Sequence, residues 1–469
     1  MEIIHISAEC YPVAKAGGLG DVVGALAKYQ TAGGHAAKVV LPMYRTRFLY
    51  ENSFEVAHKG SFGMGPYYLE YTVIKESTNK LGFDLYLIDV YGLLDREKIY
   101  GYNDDTERFT SFQIAFTDWL SSWLHKPDVI HVHDHHTALI PFMMQNCYAY
   151  KHLASIKTVL TIHNAQYQGW MDWKYANYLP DWDKWKSGLL EWDNKINPLA
   201  SGIRCVSKVT TVSPGYLEEL RYDANGLEKL FEYEKGKCLG ILNGIDEDVW
   251  DPETDSFLKT TFNVVTCRPG KNSNKKLLCD QFGLDIKKPL IVFIGRLVGE
   301  KAADLLPISI GESIYHEDGK VNFLVLGSGD PVVEKQLEDI RGPLIGYYNS
   351  QIGYNETLSH QMYAGADFLL MPSRVEPCGL NQMYAMRYGT IPIVRNTGGL
   401  KDTVRDFGEE GGYGICFNEA TVWDINYSIH RAVELYKNAA RINEIRTRMM
   451  QMDFGWRNSA TKYIEVYQS

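Results

Sequence analysis

Five short runs of this chain carry side chains able to do chemistry, and each begins where an apolar run ends. Lys15-Ala16-Gly17-Gly18-Leu19-Gly20-Asp21 follows the run Ile3–Ser7 and opens a helical stretch. Its glycines let backbone N–H groups approach a pyrophosphate, and Lys15 can neutralise one; an ordinary strand-to-helix turn has the same composition. The spacing is not G-x-G-x-x-G, so a dinucleotide fingerprint is not supported. His131-Val132-His133-Asp134-His135-His136 gathers four histidines and a carboxylate, residue types that bind zinc. Alternation along an extended strand keeps His131 and His133 from converging with His136. A polar wall, with Asp134 turned to sugar hydroxyls or charge, is therefore favoured over a metal site.

Thr161-Ile162-His163-Asn164-Ala165-Gln166-Tyr167-Gln168-Gly169 places His163 at another strand end, and the next stretch holds Trp170, Trp173, Trp182, Trp185 and Trp192. Those tryptophans suit either stacking on glucan rings or anchoring an insertion. Later, Gly295-Arg296-Leu297-Val298-Gly299-Glu300-Lys301 supplies two cations five residues apart at a helix entrance, suited to a departing diphosphate. Pro372-Ser373-Arg374-Val375-Glu376-Pro377-Cys378-Gly379-Leu380 offers Glu376 for hydroxyls and backbone N–H groups for phosphate.

The elements that must position these runs are short β-branched strands alternating with amphipathic helices, the pattern of parallel α/β sheets. Strands are expected at Ile3–Ser7, Lys38–Leu41, Leu85–Asp89, Val129–His131, Thr158–Ile162, Val209–Val212 and Cys238–Leu242. A second series follows at Leu290–Ile294, Asn322–Leu326, Phe368–Met371 and Ile391–Val394. Helices are expected at Asp21–Gln30, Glu107–Leu124, Leu380–Arg387 and Asn458–Tyr467. The cluster of Asn, Gly, acidic residues and Pro252 in Asn243–Asp255 marks a boundary. The division expected is 1–245, 246–455, and a C-terminal helix, 456–469, returning to the first domain. Ligands of open parallel sheets bind beyond the carboxyl ends of the strands, so two such domains are expected to face a deep cleft.

A length of 469 residues accommodates two large domains, and a net charge of −10 disfavours nucleic acid as a partner. The eight cysteines form no C-x-x-C pair, which fits reduced thiols in a cytoplasmic enzyme. Met1–Ile6 lacks the basic and apolar regions of a signal peptide, and no apolar run reaches about 18 residues, so neither secretion nor membrane association is expected.

Taken together, the runs Lys15–Val22, His133–His136, Thr161–Gly169, Leu242–Pro252, Gly295–Lys301, Gly327–Asp330, Gly353–His360, Pro372–Gln382 and Thr397–Val404 resemble the bacterial glycogen synthases and plant-type starch synthases. That resemblance spans nearly the whole chain, in the family's order. It implies a GT-B architecture of two Rossmann-like domains. The implied reaction is retaining transfer of glucose from ADP-glucose, with UDP-glucose the alternative donor, to the non-reducing end of an α-1,4-glucan such as glycogen or a maltooligosaccharide. It implies no cofactor beyond the nucleotide-sugar co-substrate, and no metal. Carried over by motif, Arg296 and Lys301 would bind the diphosphate, Glu376 would hold the donor sugar, and Asp134 and His163 would line the reaction centre. Lys15, Gly17, Gly18 and Asp21 would form a substrate loop. Tyr354 would stack on the base, and Asn243, Cys378, Gly379 and Leu380 would complete the donor pocket.

Three departures from the family pattern stand out. Ala16 replaces Thr or Val, His135 stands where relatives often carry Trp, and Glu300-Lys301-Ala302 replaces Gln-Lys-Gly. A metal-dependent GT-A transferase is formally matched by Asp181-Trp182-Asp183 and Asp246-Glu247-Asp248, but three-residue matches are nearly uninformative. A non-catalytic glucan-binding protein is the reading from another class, and the intact Lys15, Arg296, Lys301 and Glu376 argue against it.

Overall fold

Apolar, β-branched runs flanked by helices can hide both faces only inside a parallel sheet, and the expected runs are largely buried strands here, except the partly exposed edge strand Cys238–Gly240. The computed structural model describes residues 1–469, which fall into two compact units. One is Met1–Gly244 with Trp456–Ser469, the other Ile245–Gly455.

The strands of the first unit are β1 (Glu2–Ile6), β2 (Ala36–Pro42), β3 (Phe54–Met64), β4 (Tyr67–Glu76), β5 (Asp84–Asp89), β6 (Val129–His133), β7 (Lys157–Ile162), β8 (Glu191–Trp192), β9 (Lys195–Ile196), β10 (Lys208–Thr211) and β11 (Cys238–Gly240). Nine form one sheet in the order β11-β10-β7-β6-β1-β2-β5-β4-β3. The body of that sheet is parallel, with β1 between β2 and β6. The β3–β4 hairpin adds an antiparallel edge not foreseen from sequence, because its many polar residues conceal the strand pattern. The helix Gly18–Ala32 packs Val22 and Leu26 onto Ile3, Val129 and Val159. The C-terminal helix Trp456–Gln468 joins the same core through Trp456, Tyr463 and Tyr467.

In the second unit, β12 (Leu290–Ile294), β13 (Asn322–Gly327), β14 (Tyr348–Ile352), β15 (Phe368–Met371), β16 (Ile391–Arg395) and β17 (Ile415–Phe417) form a parallel sheet ordered β14-β13-β12-β15-β16-β17. Its edge strands β14 and β17 were not expected, one being polar and the other only three residues long. The Lys/Asn-rich stretch before β12 is a helix, Cys267–Phe282, whose Lys271 and Lys275 turn inward while Lys276 stays exposed. Lys271 Nζ donates to the carbonyls of Tyr363, Ala364 and Tyr388 and to Thr390 Oγ1, at 2.7–3.1 Å. Lys275 and Arg446 share the buried carboxylate of Asp367, at 2.6 and 2.8 Å. Charge that reads as surface in the sequence thus ties this helix to the sheet.

Candidate active site

In the first unit, the loops leaving β1, β6 and β7 emerge side by side because those strands are neighbours in the sheet. After β1, Glu9 Oε2 accepts hydrogen bonds from the backbone N–H groups of Ala16 and Gly17, at 2.6 and 2.8 Å. Its other oxygen accepts from Tyr100, at 2.7 Å. One carboxylate therefore shapes the loop that opens at Gly18 into a helix, and the Ala16 departure is absorbed as a backbone contact. Lys15 lies 2.8 Å from Asp21. Glu9 went unnoticed in the sequence, since only the folded loop shows what its carboxylate caps.

After β6, Asp134 adopts a left-handed backbone (φ 56°), uncommon outside glycine and recurrent at functional positions. This turn aims its carboxylate at the end of β7. There Oδ1 accepts from the N–H groups of His163 and Asn164, at 2.7 and 3.5 Å. Burial pushes the Asp134 carboxyl up to about 7, against the pull of those two N–H groups. His163 is half-buried, and burial depresses its imidazole to about 3, so it is neutral.

His131 and His133 lie on one face of β6 with stacked rings 4.3 Å apart, and β1 contributes His5. His136 is elsewhere, stacked on Tyr100 at 4.9 Å. His5, His131 and His133 have the residue types and proximity of a metal site. All six of their ring nitrogens, however, are engaged in hydrogen bonds, with Gln30, Tyr467, Thr161, His163 and one another. The tryptophan-rich stretch divides: Trp182 is buried, Trp185 is exposed, and Trp192 donates to the carbonyl of Gly226. Asn243, beyond β11, is buried with its Oδ1 unpartnered, although no contact joins it to Asp134 or His163.

In the second unit, β12 and β15 are neighbours, and the runs that follow them are stitched together. The N–H groups of Arg374 and Val375 donate to the carbonyl of Glu300. Lys301 Nζ reaches both oxygens of Glu376, at 2.7 and 2.6 Å, and Ser373 Oγ donates to the same carboxylate at 2.8 Å. Glu300 pairs with Arg296, at 3.0 Å, and not with Lys301. Ala302, in place of glycine, keeps a left-handed conformation (φ 51°), so the turn that sets Lys301 survives the substitution. Gly398 and Gly399 pack against the carbonyls of Glu376 and Cys378 so closely that an added Cβ would lie 2.1 and 2.0 Å from those oxygens. Cys378 is buried, Gly379 is left-handed (φ 70°), and Leu380 precedes the helix Asn381–Arg387. Tyr354 follows β14 and is exposed.

This arrangement supplies cations and a carboxylate on adjacent strand ends in one unit, and a strained carboxylate beside a neutral imidazole in the other. Comparison with known proteins agrees with that chemistry. The starch synthase catalytic domain family matches residues 2–233, and glycosyl transferases group 1 matches residues 275–449. The glycogen synthase of Flavobacterium johnsoniae is 53% identical over all of this chain and 98% of its own, and that of Hydrogenobaculum sp. is 39% identical with the same coverage. The catalytic domain of starch synthase IV from Arabidopsis thaliana, bound to ADP and acarbose, superposes with a TM-score of 0.90 at 33% identity, covering 100% of this chain and 98% of that one. No helix of this chain is long and apolar enough to cross a membrane. The chain belongs to the glycogen and starch synthase family and is a glucosyltransferase with the two Rossmann-like domains of the GT-B fold.

Proposed function

We propose that this enzyme transfers glucose from ADP-glucose to the non-reducing end of an α-1,4-glucan, with retention at the anomeric carbon. The carrying observation is the Lys301–Glu376 ion pair that joins the loops after β12 and β15, with a second cation, Arg296, held by Glu300 on the first of those loops. ADP and acarbose in the starch synthase IV structure support an adenine nucleotide and an α-glucan as ligands here.

Negative charge builds on the leaving diphosphate while the glucosyl carbon becomes positive. Arg296 and Lys301 stabilise the first. Glu376 accepts hydrogen bonds from donor hydroxyls, and the ionised Asp134 opposes the positive charge. Lys15 adds charge beside the glycine loop, Asn243 and the Cys378-Gly379-Leu380 backbone complete the donor contacts, and Tyr354 stacks on the base. Retention then proceeds by front-face displacement, the departing phosphate oxygen taking the acceptor's proton. With protein cations balancing the diphosphate, neither metal nor cofactor is required, and chelator should leave turnover unchanged. Eight free cysteines support a reducing cytoplasm, and the net charge of −10 supports a neutral glucan rather than nucleic acid as partner.

Parallel assays with ADP-glucose and UDP-glucose, on glycogen and on short maltooligosaccharides, test this reading. Faster turnover with UDP-glucose overturns the donor assignment, and a trapped glycosyl-enzyme adduct overturns front-face displacement.

A further inference from the structure

The histidine cluster behind Asp134 is a directional chain. Gln30 Oε1 is an acceptor only, so His5 Nε2, 2.8 Å away, carries a proton. A neutral imidazole has one donor and one acceptor, so His5 Nδ1 accepts from His133 Nε2 at 3.2 Å. By the same rule His133 Nδ1 accepts from His163 Nε2 at 3.0 Å. A second branch leaves the other end of the same amide. Gln30 Nε2 donates to Tyr467 OH at 3.1 Å, Tyr467 donates to His131 Nδ1 at 2.7 Å, and His131 Nε2 donates to Thr161 Oγ1 at 2.6 Å. His5, Gln30, His131 and His133 are buried, and burial holds all four imidazoles, His163 included, below their usual range. None of these four rings is charged near neutral pH, so each of their proton positions follows from which way one amide points.

We propose that Gln30 is a positioning residue that sets the tautomer of His163 through His5 and His133, holding the proton on Nε2 and leaving Nδ1 as a hydrogen-bond acceptor. Nδ1 of His163 has no hydrogen-bond partner in the protein. It is the nitrogen that can accept from a hydroxyl of the transferred sugar; the opposite tautomer would present a donor there. This assignment rests on the reading of His163 as a reaction-centre residue. It explains why a buried core spends four imidazoles and an amide where apolar side chains would pack with no need for partners.

Long-range ¹H–¹⁵N correlation on the full chain with ¹⁵N-labelled histidine reads each ring directly. Expected are Nε2-protonated, neutral rings for His5, His131, His133 and His163 at pH 7.5. A His163 ring protonated on Nδ1 overturns the proposal whatever the activity. Gln30→Met removes both ends of the amide and is expected to move part of the His163 population to the Nδ1–H form and lower kcat by about tenfold, the scale of one mispaired hydrogen bond. An unchanged His163 pattern in a folded Gln30→Met protein also overturns it. His163→Ala separates the two readings: wild-type turnover in that variant, with the tautomers of the unsubstituted protein as expected, defeats the catalytic reading and leaves the relay standing.

Discussion

Lys301 and Glu376 form a two-point ion pair, with Nζ 2.7 Å from Oε1 and 2.6 Å from Oε2, at the junction of the loops that follow β12 and β15. Glu376 is buried and Lys301 about one-fifth exposed, so the pair is shielded from screening by water. Lys301→Ala should lower kcat by about two to three orders of magnitude, the cost of losing one preorganised charge partner. It also strands a buried carboxylate, so stability should fall. Adding Glu376→Gln should recover stability without recovering turnover. Steady-state kinetics and chemical denaturation of the single and double variants check both halves, and turnover within tenfold of wild type in Lys301→Ala would contradict the assignment.

Arg296 offers a contrast. Its partner is Glu300 and its own side chain is half exposed, a pairing worth less than about 1 kcal/mol. Arg296→Ala should therefore leave the melting temperature unchanged while reducing turnover by about a hundredfold. A variant as active as wild type would remove Arg296 from the diphosphate site.

The buried Asp134 carboxyl, raised to about 7, makes activity pH-dependent. Below that pH it is protonated and neutral, with no charge to oppose the developing cation, so kcat/KM should rise as pH rises through about 7. Asp134→Asn should lose about two orders of magnitude and show no limb there. A limb that persists in the variant would belong to another group.

Glu9 caps the N–H groups of Ala16 and Gly17. Glu9→Ala leaves both without that acceptor and frees the loop ahead of Gly18. The KM for the nucleotide sugar should rise about tenfold, as expected from the loss of hydrogen bonds to a charged group. An unaltered KM would mean the loop holds its shape without Glu9.

Acid should destabilise the first unit through its histidines. His5 falls to about 4 and His163 to about 3 in the folded state, with His131 and His133 also held well below their usual range. Because the folded values are depressed, this contribution is fully present above about 6.5, where unfolded histidine loses its proton, and is lost as pH falls towards 4. His131→Asn removes one such group and should flatten the slope of stability against pH by about 1.4 kcal/mol per unit within that window. Denaturant titrations at several pH values measure it, and equal slopes would show that His131 is protonated when folded.

The parallel strands and the helices that follow them were legible because buried parallel strands are nearly continuous β-branched runs. The hairpin β3–β4 and the edge strands β14 and β17 were not, since polar residues or short length erase that signal. Cys267–Phe282 shows a different failure: Lys271 and Lys275 read as solvated charge until partners more than ninety residues away are folded around them.

Sequence alone determined that two α/β domains follow one another and that Lys15, Asp134, His163, Arg296, Lys301 and Glu376 stand at strand ends, because strand periodicity and loop chemistry are local properties. The tertiary structure decided who meets whom. Strand order made neighbours of β12 and β15, so Lys301 pairs with Glu376 and leaves Arg296 to Glu300. It also set β1 beside β6, bringing His5 and Gln30 onto the histidines behind Asp134. The Lys301–Glu376, His5–Gln30 and His5–His133 contacts run across 25 to 128 residues of chain, and no local pattern encodes partners that only strand order and helix packing select.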